Sequence, residues 1–328
     1  MKVLVTAHRP DETEIFEKAN QKYHYELSFQ TQQLTEENLE MARGYEAVCI
    51  NAGCHVTEQM ARRLKEMGVR YVLTRAAGKD HLDLKAVQKY GLRSANVPAY
   101  SPSAISEHTI LLLLAVLRKL KTQLRRIDEK YFFITGLRGR EIRDMTIGVI
   151  GTGRIGSQTV KDLSGFGCRL LACDQHPNAD TARLAQYMEM KELLQKSDAV
   201  ILHCPMTAEN YHLISKEAIG VMKEGAVLVN TARGELVDTQ AVCEALKCGR
   251  LSGLAMDVYE HENLTQRKDY RGKKLDDPLL GELLAMDNVV FTSHTAFYTD
   301  EAIASIVGTT LENLYEWETT GSCKNETR

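Results

Sequence analysis

Short apolar runs recur along the chain, separated by more polar, helix-compatible stretches. Val3–Thr6, Tyr25–Phe29, Ala47–Ile50, Tyr71–Thr74 and Leu92–Ala95 are runs of this kind. They are too short for buried helices and fit strands covered on both faces. Between them, Glu58–Met67 and Leu82–Tyr90 are compatible with helices. Alternating β and α elements predict a parallel sheet with helices on both sides. The same rhythm resumes at Thr146–Ile150, Arg169–Cys173, Ala199–His203, Ala226–Asn230, Gly253–Val258 and Asn288–Thr292. These six runs match the strand count of a full dinucleotide-binding sheet.

Between the two sets, Asn96-Val-Pro-Ala-Tyr-Ser-Pro102 interrupts the pattern with two prolines and predicts a crossing between domains. Ser103 then caps a predicted long helix reaching about Lys130, with Glu107 shortly beyond the cap. Its first half is apolar nearly all round, which predicts burial. Its second half carries Arg118, Lys119, Lys121, Arg125 and Arg126, read as a solvated face or a subunit contact. The last helical stretch, Glu301–Glu318, is predicted to return to the first domain. The expected class is α/β, with two doubly wound parallel-sheet domains. The first comprises residues 1–99 plus 299–328, the second residues 100–298.

One stretch carries a specific signal. The strand Thr146–Ile150 runs into Gly151, Gly153 and Gly156, a G-x-G-x-x-G turn. A helical run to about Gly165 follows, then the strand Arg169–Cys173, closed by Asp174. This is the βαβ fingerprint of a dinucleotide site. Gly151 permits the tight turn, Gly153 leaves room for a pyrophosphate, and Gly156 lets the helix approach the strand. The helix N-terminus offers unpaired N–H groups and partial positive charge to the phosphates. Asp174 suits the ribose hydroxyls of NAD, and its charge opposes a 2′-phosphate; Gln175 and His176 follow, with no Arg to receive one.

Composition narrows the function classes. At 328 residues the chain has room for two cores, and a net charge of −3 gives no global field for nucleic acid or an anionic membrane. The eight cysteines show no C-x-x-C pair and no metal-ligand spacing. Cys49, Cys168, Cys173 and Cys204 are expected to be small buried hydrophobes, and free thiols fit a reducing cytoplasm. The N-terminal apolar run is too short for a signal peptide, and Ile110–Leu117 is too short to span a bilayer.

Ligands of such sheets bind beyond the carboxyl ends of the strands. The residues there are Asn230-Thr-Ala-Arg233-Gly234, Asp257-Val-Tyr-Glu260-His-Glu262 and Ser293-His294-Thr-Ala-Phe-Tyr298. Arg233, Glu262 and His294 can therefore converge beside a nicotinamide. Singly, each has a plain alternative: a surface ion pair, a solvated charge, a cap. Together they suit reduction of a 2-oxo acid. Arg offers a planar fork for the carboxylate. His titrates near neutrality and can pass a proton to the carbonyl oxygen. A carboxylate beside it supports the imidazolium. In the first domain, Arg75-Ala-Ala-Gly-Lys79 exposes backbone amides as an anion site would. It equally fits a plain strand-to-helix turn.

The segments NVPAYSP, GVIGTGRIG, NTARGELVDT, AMDVYEHE and SHTAFYT, spread over both domains, resemble the D-2-hydroxyacid dehydrogenases, specifically the D-lactate dehydrogenase branch that includes the VanH-type enzymes. The resemblance implies a Rossmann NAD-binding domain and a flavodoxin-like substrate domain. It makes Arg233 the substrate-binding arginine, Glu262 the acid that orients the histidine, and His294 the general acid/base. Around NAD it places Gly151, Gly153, Arg154, Ile155, Gly156, Asp174, Cys204, Pro205, Asn210, Thr231, Ala232, Arg233 and Asp257. Around the substrate it places Ala77, Gly78, Tyr100, Arg233 and Tyr298. It further implies a homodimer formed largely by the cofactor domains, a cleft that closes on binding, and the D stereochemistry. Glu262 stands where formate dehydrogenases pair a Gln with the active His, so formate is not expected. Arg267–Asp277 matches a loop of the lactate branch, and Lys79 leaves the substrate side chain open.

The expected reaction is NADH-dependent reduction of pyruvate to D-lactate. The alternatives are a dehydrogenase for bulkier 2-oxo acids such as 2-oxoisocaproate or phenylpyruvate, and an NAD(H)-sensing binding protein.

Overall fold

The computed structural model describes residues 1–264 and 268–327. The chain divides into two compact units, one of Met1–Ser101 with Tyr298–Arg328, the other of Pro102–Phe297. The crossings expected at 99/100 and 298/299 thus fall at 101/102 and 297/298, so Tyr100 and Tyr298 both belong to the first unit.

The first unit is built on five parallel strands: β1 (Lys2–Val5), β2 (Glu26–Phe29), β3 (Ala47–Ile50), β4 (Tyr71–Thr74) and β5 (Arg93–Ala95), in the order β2-β1-β3-β4-β5. This is the flavodoxin-like order, with its topological switch between β1 and β3. β3 and β4 are buried along their whole length, as continuous apolar runs require. The helix Glu58–Glu66 covers one face through Met60, Ala61 and Leu64, and Thr57 caps it by accepting from the Met60 amide. The helix Asp300–Thr320 packs Trp317 on Tyr71, ring centroids 5.0 Å apart. The C-terminal tail closes the β5 edge: Glu326 bridges Ala95 antiparallel and receives two hydrogen bonds from Arg93, of 2.8 and 2.9 Å. A covered edge cannot pair with another chain.

The second unit holds a parallel sheet of seven strands, one more than the apolar runs predict. They are β6 (Thr146–Ile150), β7 (Arg169–Cys173), β8 (Gln186–Tyr187), β9 (Ala199–Leu202), β10 (Ala226–Asn230), β11 (Leu251–Met256) and β12 (Val289–Phe291), in the order β12-β11-β10-β9-β6-β7-β8. The unexpected strand β8 is two edge residues, Gln186 and Tyr187, too short for any periodicity to register. From β8 to β11 this is the doubly wound Rossmann order, with a further strand, β12, beyond it.

The predicted long helix is instead two, Pro102–Leu117 and Leu120–Asp128. Lys119 between them is left-handed, with φ 53°. The chain returns against this break: the Arg140 amide donates to the Leu117 carbonyl at 3.1 Å. A C-terminal carbonyl that would otherwise lack a partner is thereby satisfied. The first helix is buried as expected through Ile110, Leu112, Leu113, Val116 and Leu117. Of the four cysteines read as buried, only Cys49 is fully so. Cys168, Cys173 and Cys204 are half-buried, because they sit at strand ends or in loops at the sheet's margin.

Candidate active site

Because all seven strands of the second unit run the same way, the loops after β6, β7, β9, β10, β11 and β12 share one edge. The turn after β6 adopts the geometry expected of the fingerprint. Gly151 has φ +90°, and a Cβ there would lie 2.5 Å from the Cys204 amide nitrogen. A Cβ on Gly156 would lie 1.9 Å from the Gly151 carbonyl oxygen. Both are glycines because the protein's own backbone approaches so closely. Gly153 differs: a Cβ there would meet no protein atom within 4 Å. Nothing inside the protein demands glycine at that position, the N-cap of the helix Arg154–Ser164. Arg154 and Ile155 form the first turn of that helix.

Asp174 follows β7. It accepts from the Thr152 amide and hydroxyl through Oδ2, and from the His176 amide at 2.8 Å through Oδ1. Burial pushes its pKa up, and these hydrogen bonds outweigh it, so the net shift is downward and the carboxylate stays ionised. Thr152 is a residue that motif reading passes over; its side chain also meets the Tyr187 hydroxyl at 2.7 Å, which ties the glycine turn to β8. After β9 come Cys204 and Pro205. Asn210 folds that loop back on itself, donating to the Pro205 carbonyl at 2.7 Å and accepting from the Thr207 amide at 2.6 Å. Thr231 and Ala232 follow β10, and the Thr231 hydroxyl meets that of Thr109 at 2.8 Å.

Arg233 sits at the end of the same loop. Asn230 pins it by accepting from the Ala232 amide at 3.0 Å and donating to the Arg233 carbonyl at 2.7 Å. Sequence analysis places Asn230 in this loop but gives it no role; here its side chain fixes the backbone that leads to Arg233.

His294 follows β12 in a left-handed conformation, φ +55°. Its amide donates to the Asp257 carbonyl at 2.7 Å, and its Nδ1 lies 2.9 Å from Glu262 Oε2. The other Glu262 oxygen accepts from the Tyr259 amide at 3.0 Å, which fixes the carboxylate. Burial lowers the pKa of His294; the hydrogen bond and charge of Glu262, aided by Asp257 and opposed by Arg233, outweigh it, and the net shift is upward. With Nδ1 committed to Glu262, Nε2 is the nitrogen left to exchange a proton.

Asp257 is 1% exposed and does a different job from its neighbours. Its Oδ1 accepts from Thr292 at 2.6 Å and from the Thr295 amide at 2.8 Å, and its Oδ2 from the Ala296 amide at 2.9 Å. Its carboxylate therefore holds the loop that carries His294. His108 lies behind, 2.9 Å from the Thr292 hydroxyl. No local pattern marks His108 in the sequence, because it lies in a helix 186 residues before His294.

In the first unit, Ala77 and Gly78 follow β4. Asn96 donates to the Ala77 carbonyl at 2.7 Å and the Val97 amide to the Ala76 carbonyl at 3.0 Å. Tyr100 is half-buried near the end of that unit's first segment. Tyr298 donates its hydroxyl to Asp11 at 2.6 Å. Of the polar segment 267–277, residue 267 lies outside the described residues. Among the described residues no cluster of His, Cys, Asp and Glu has the makings of a metal site, and no helix is long and apolar enough to cross a membrane.

Residues 110–296 match the family model described as D-isomer specific 2-hydroxyacid dehydrogenase, NAD binding domain. The chain belongs to this family. The dehydrogenase is 37% identical to an aromatic 2-oxoacid reductase of Clostridium sporogenes over 99% of both chains. It superposes on the apo-structure of D-lactate dehydrogenase from Escherichia coli with a TM-score of 0.91, at 39% identity and over the whole of both chains. It also resembles the structure of D-2-hydroxyisocaproate dehydrogenase, with a TM-score of 0.89 at 33% identity over 100% of this chain and 99% of the other. The dehydrogenase is an NAD-dependent oxidoreductase of D-2-hydroxy acids, in the D-lactate branch of the family.

Proposed function

We propose that the enzyme reduces pyruvate to D-lactate, with His294 as general acid. The observation that carries the acid role is the His294–Glu262 pair at 2.9 Å, on the same sheet edge as the glycine turn and Arg233; the choice of pyruvate rests on the similarity to D-lactate dehydrogenases. NADH, when bound, supplies the hydride to the carbonyl carbon. Arg233 takes the substrate carboxylate in its planar fork, and the amides of Ala77 and Gly78 are assigned to the same group. His294 gives its Nε2 proton to the carbonyl oxygen, and Glu262 stabilises the protonated ring until transfer and keeps its orientation afterwards. Gly151, Gly153, Arg154, Ile155 and Gly156 are assigned to the pyrophosphate, Asp174 to the ribose, and Cys204, Pro205, Asn210, Thr231, Ala232 and Asp257 to the rest of the cofactor site. Tyr100 and Tyr298 are assigned to the substrate.

The deciding experiment compares kcat/KM for pyruvate, 2-oxoisocaproate and phenylpyruvate by NADH oxidation, with chiral analysis of the product. Preference for pyruvate is expected. Preference for a bulky acid keeps the mechanism and replaces the substrate, a reading that the similarity to an aromatic 2-oxoacid reductase supports. Tight NADH binding without turnover of any of them would leave a sensor of NAD(H).

The upward shift of His294 has a pH consequence. Reduction needs the protonated ring, so the raised pKa carries activity to higher pH. Glu262→Gln removes the charge that raises it, and the alkaline limb of the kcat/KM profile for reduction should move to lower pH. A profile unchanged in that variant would disprove the pairing.

We also infer a homodimer. Phe132 and Ile134 are 72% and 83% exposed, and Leu111, Leu124 and Ile127 are exposed as well. So much apolar surface on one cofactor-binding unit fits the subunit contact that the family resemblance implies. Sedimentation of the parent as a dimer and of Phe132→Asp as a monomer is expected; a parent that sediments as a monomer ends this reading. The eight free cysteines suit a reducing compartment such as the cytoplasm.

A further inference from the structure

The first unit contains a buried charge network that the reaction itself does not use. Arg75, the residue after β4, is 8% exposed, and Glu12 is 2% exposed. Arg75 Nη1 donates to Glu12 Oε2 at 2.7 Å, while its Nη2 donates to the Thr6 and Ala7 carbonyls at 2.7 and 3.1 Å. These carbonyls belong to the two residues that follow β1, and Ala7 there is left-handed at φ 50°. In the sheet order β3 lies between β1 and β4. The guanidinium therefore reaches across the end of β3 and bridges the topological switch of the sheet, where ligands of this fold bind.

Glu12 binds a second arginine. Its Oε1 accepts from Arg9 Nη1 at 2.6 Å. The Arg9 guanidinium in turn lies 4.7 Å from the centroid of the Tyr298 ring, whose hydroxyl donates to Asp11 at 2.6 Å. One carboxylate thus joins two segments. Through Arg75 it holds the start of the loop that carries Ala77 and Gly78. Through Arg9 it holds the ring of Tyr298. The far side of the loop is fixed separately, by Asn96 on Ala77 and by Val97 on Ala76.

Stability alone does not account for this arrangement. A buried ion pair is often no more stabilising than apolar side chains of similar volume, because both charges must leave water. Its distinctive property is direction. The fork of an arginine sets the relative placement of a carboxylate and two carbonyls in a way no apolar contact does.

We propose that Glu12 and Arg75 are positioning residues, which hold the Ala77–Gly78 amides and Tyr298 in one fixed arrangement for binding the 2-oxo acid. The inference rests on the reading of those three residues as substrate contacts.

The test uses Arg75→Lys, which keeps the charge and loses the fork, and the double variant Glu12→Gln/Arg75→Met, which removes the pair without stranding a buried charge. In both, KM for the 2-oxo acid is expected to rise at least about tenfold, with kcat within about threefold of the parent and NADH affinity unchanged. A folded variant with the KM of the parent overturns the proposal, and so does a loss confined to kcat. Hydrogen exchange of the amides at 76–79 gives a readout independent of turnover. Exchange faster than in the parent is expected in both variants, and unchanged rates overturn the proposal. A parent that turns over no 2-oxo acid would instead refute the proposed reaction, leaving the exchange rates to decide whether the network orders the loop.

Discussion

His294→Ala is expected to lower kcat for the 2-oxo acid by roughly 10²–10⁴-fold, the usual contribution of a positioned general acid, while the dissociation constant for NADH stays close to that of the parent. The size follows from how completely the side chain is placed. Its backbone is bound through its amide to the Asp257 carbonyl, and its Nδ1 is bound to a carboxylate that is itself fixed by the Tyr259 amide. The loop beneath it is held by both oxygens of a buried aspartate. Alanine removes the proton donor and leaves this support in place, so the loss should appear in kcat. The cofactor fingerprint lies on the loops after β6 and β7, away from the substituted side chain in the chain and in the sheet. Stopped-flow reduction and a fluorescence titration with NADH separate the two quantities. Turnover near that of the parent would remove His294 from the mechanism.

Arg233→Met is the second large effect. The guanidinium can make two parallel charge-assisted hydrogen bonds to a carboxylate. Each is worth about 1.5–3 kcal/mol, so losing both costs about 3–6 kcal/mol. At about 1.4 kcal/mol per tenfold, kcat/KM should fall roughly 10²–10⁴-fold, with methionine filling much of the space that the side chain leaves. Arg233→Lys should recover only part of the loss, since an ammonium keeps the charge without the fork. The Asn230 bonds that hold the loop go to backbone atoms and survive both substitutions. A loss below tenfold in Arg233→Met, with NADH affinity intact, would mean that the carboxylate is bound elsewhere.

Much of the fold is legible in the sequence because its information is local. A strand buried on both faces must be a short apolar run, and a parallel sheet must alternate such runs with helices. Ala47–Ile50, Tyr71–Thr74, Thr146–Ile150, Arg169–Cys173 and Ala226–Asn230 are accordingly strands at the bounds read from the chain. The cofactor turn is legible for the same reason: Gly151, Gly153, Gly156 and Asp174 are held within about thirty contiguous residues, and backbone crowding restricts two of these glycines to having no side chain.

What tertiary structure decided is where side chains distant in sequence meet. The strand β8 is two residues, Gln186 and Tyr187, that become a strand only by pairing with β7. The break at Lys119 arises where a segment some twenty residues later reaches the end of the helix Pro102–Leu117. His294 and Glu262, 32 residues apart, are brought together by the strand-end reading and the family resemblance, whereas nothing in the sequence brings Arg75 to Glu12, 63 residues away. No periodicity links either pair, because strand and helix patterns record which face of an element is buried, not which element lies opposite. Only the order of strands in the sheet sets that, and with it which charges share a site.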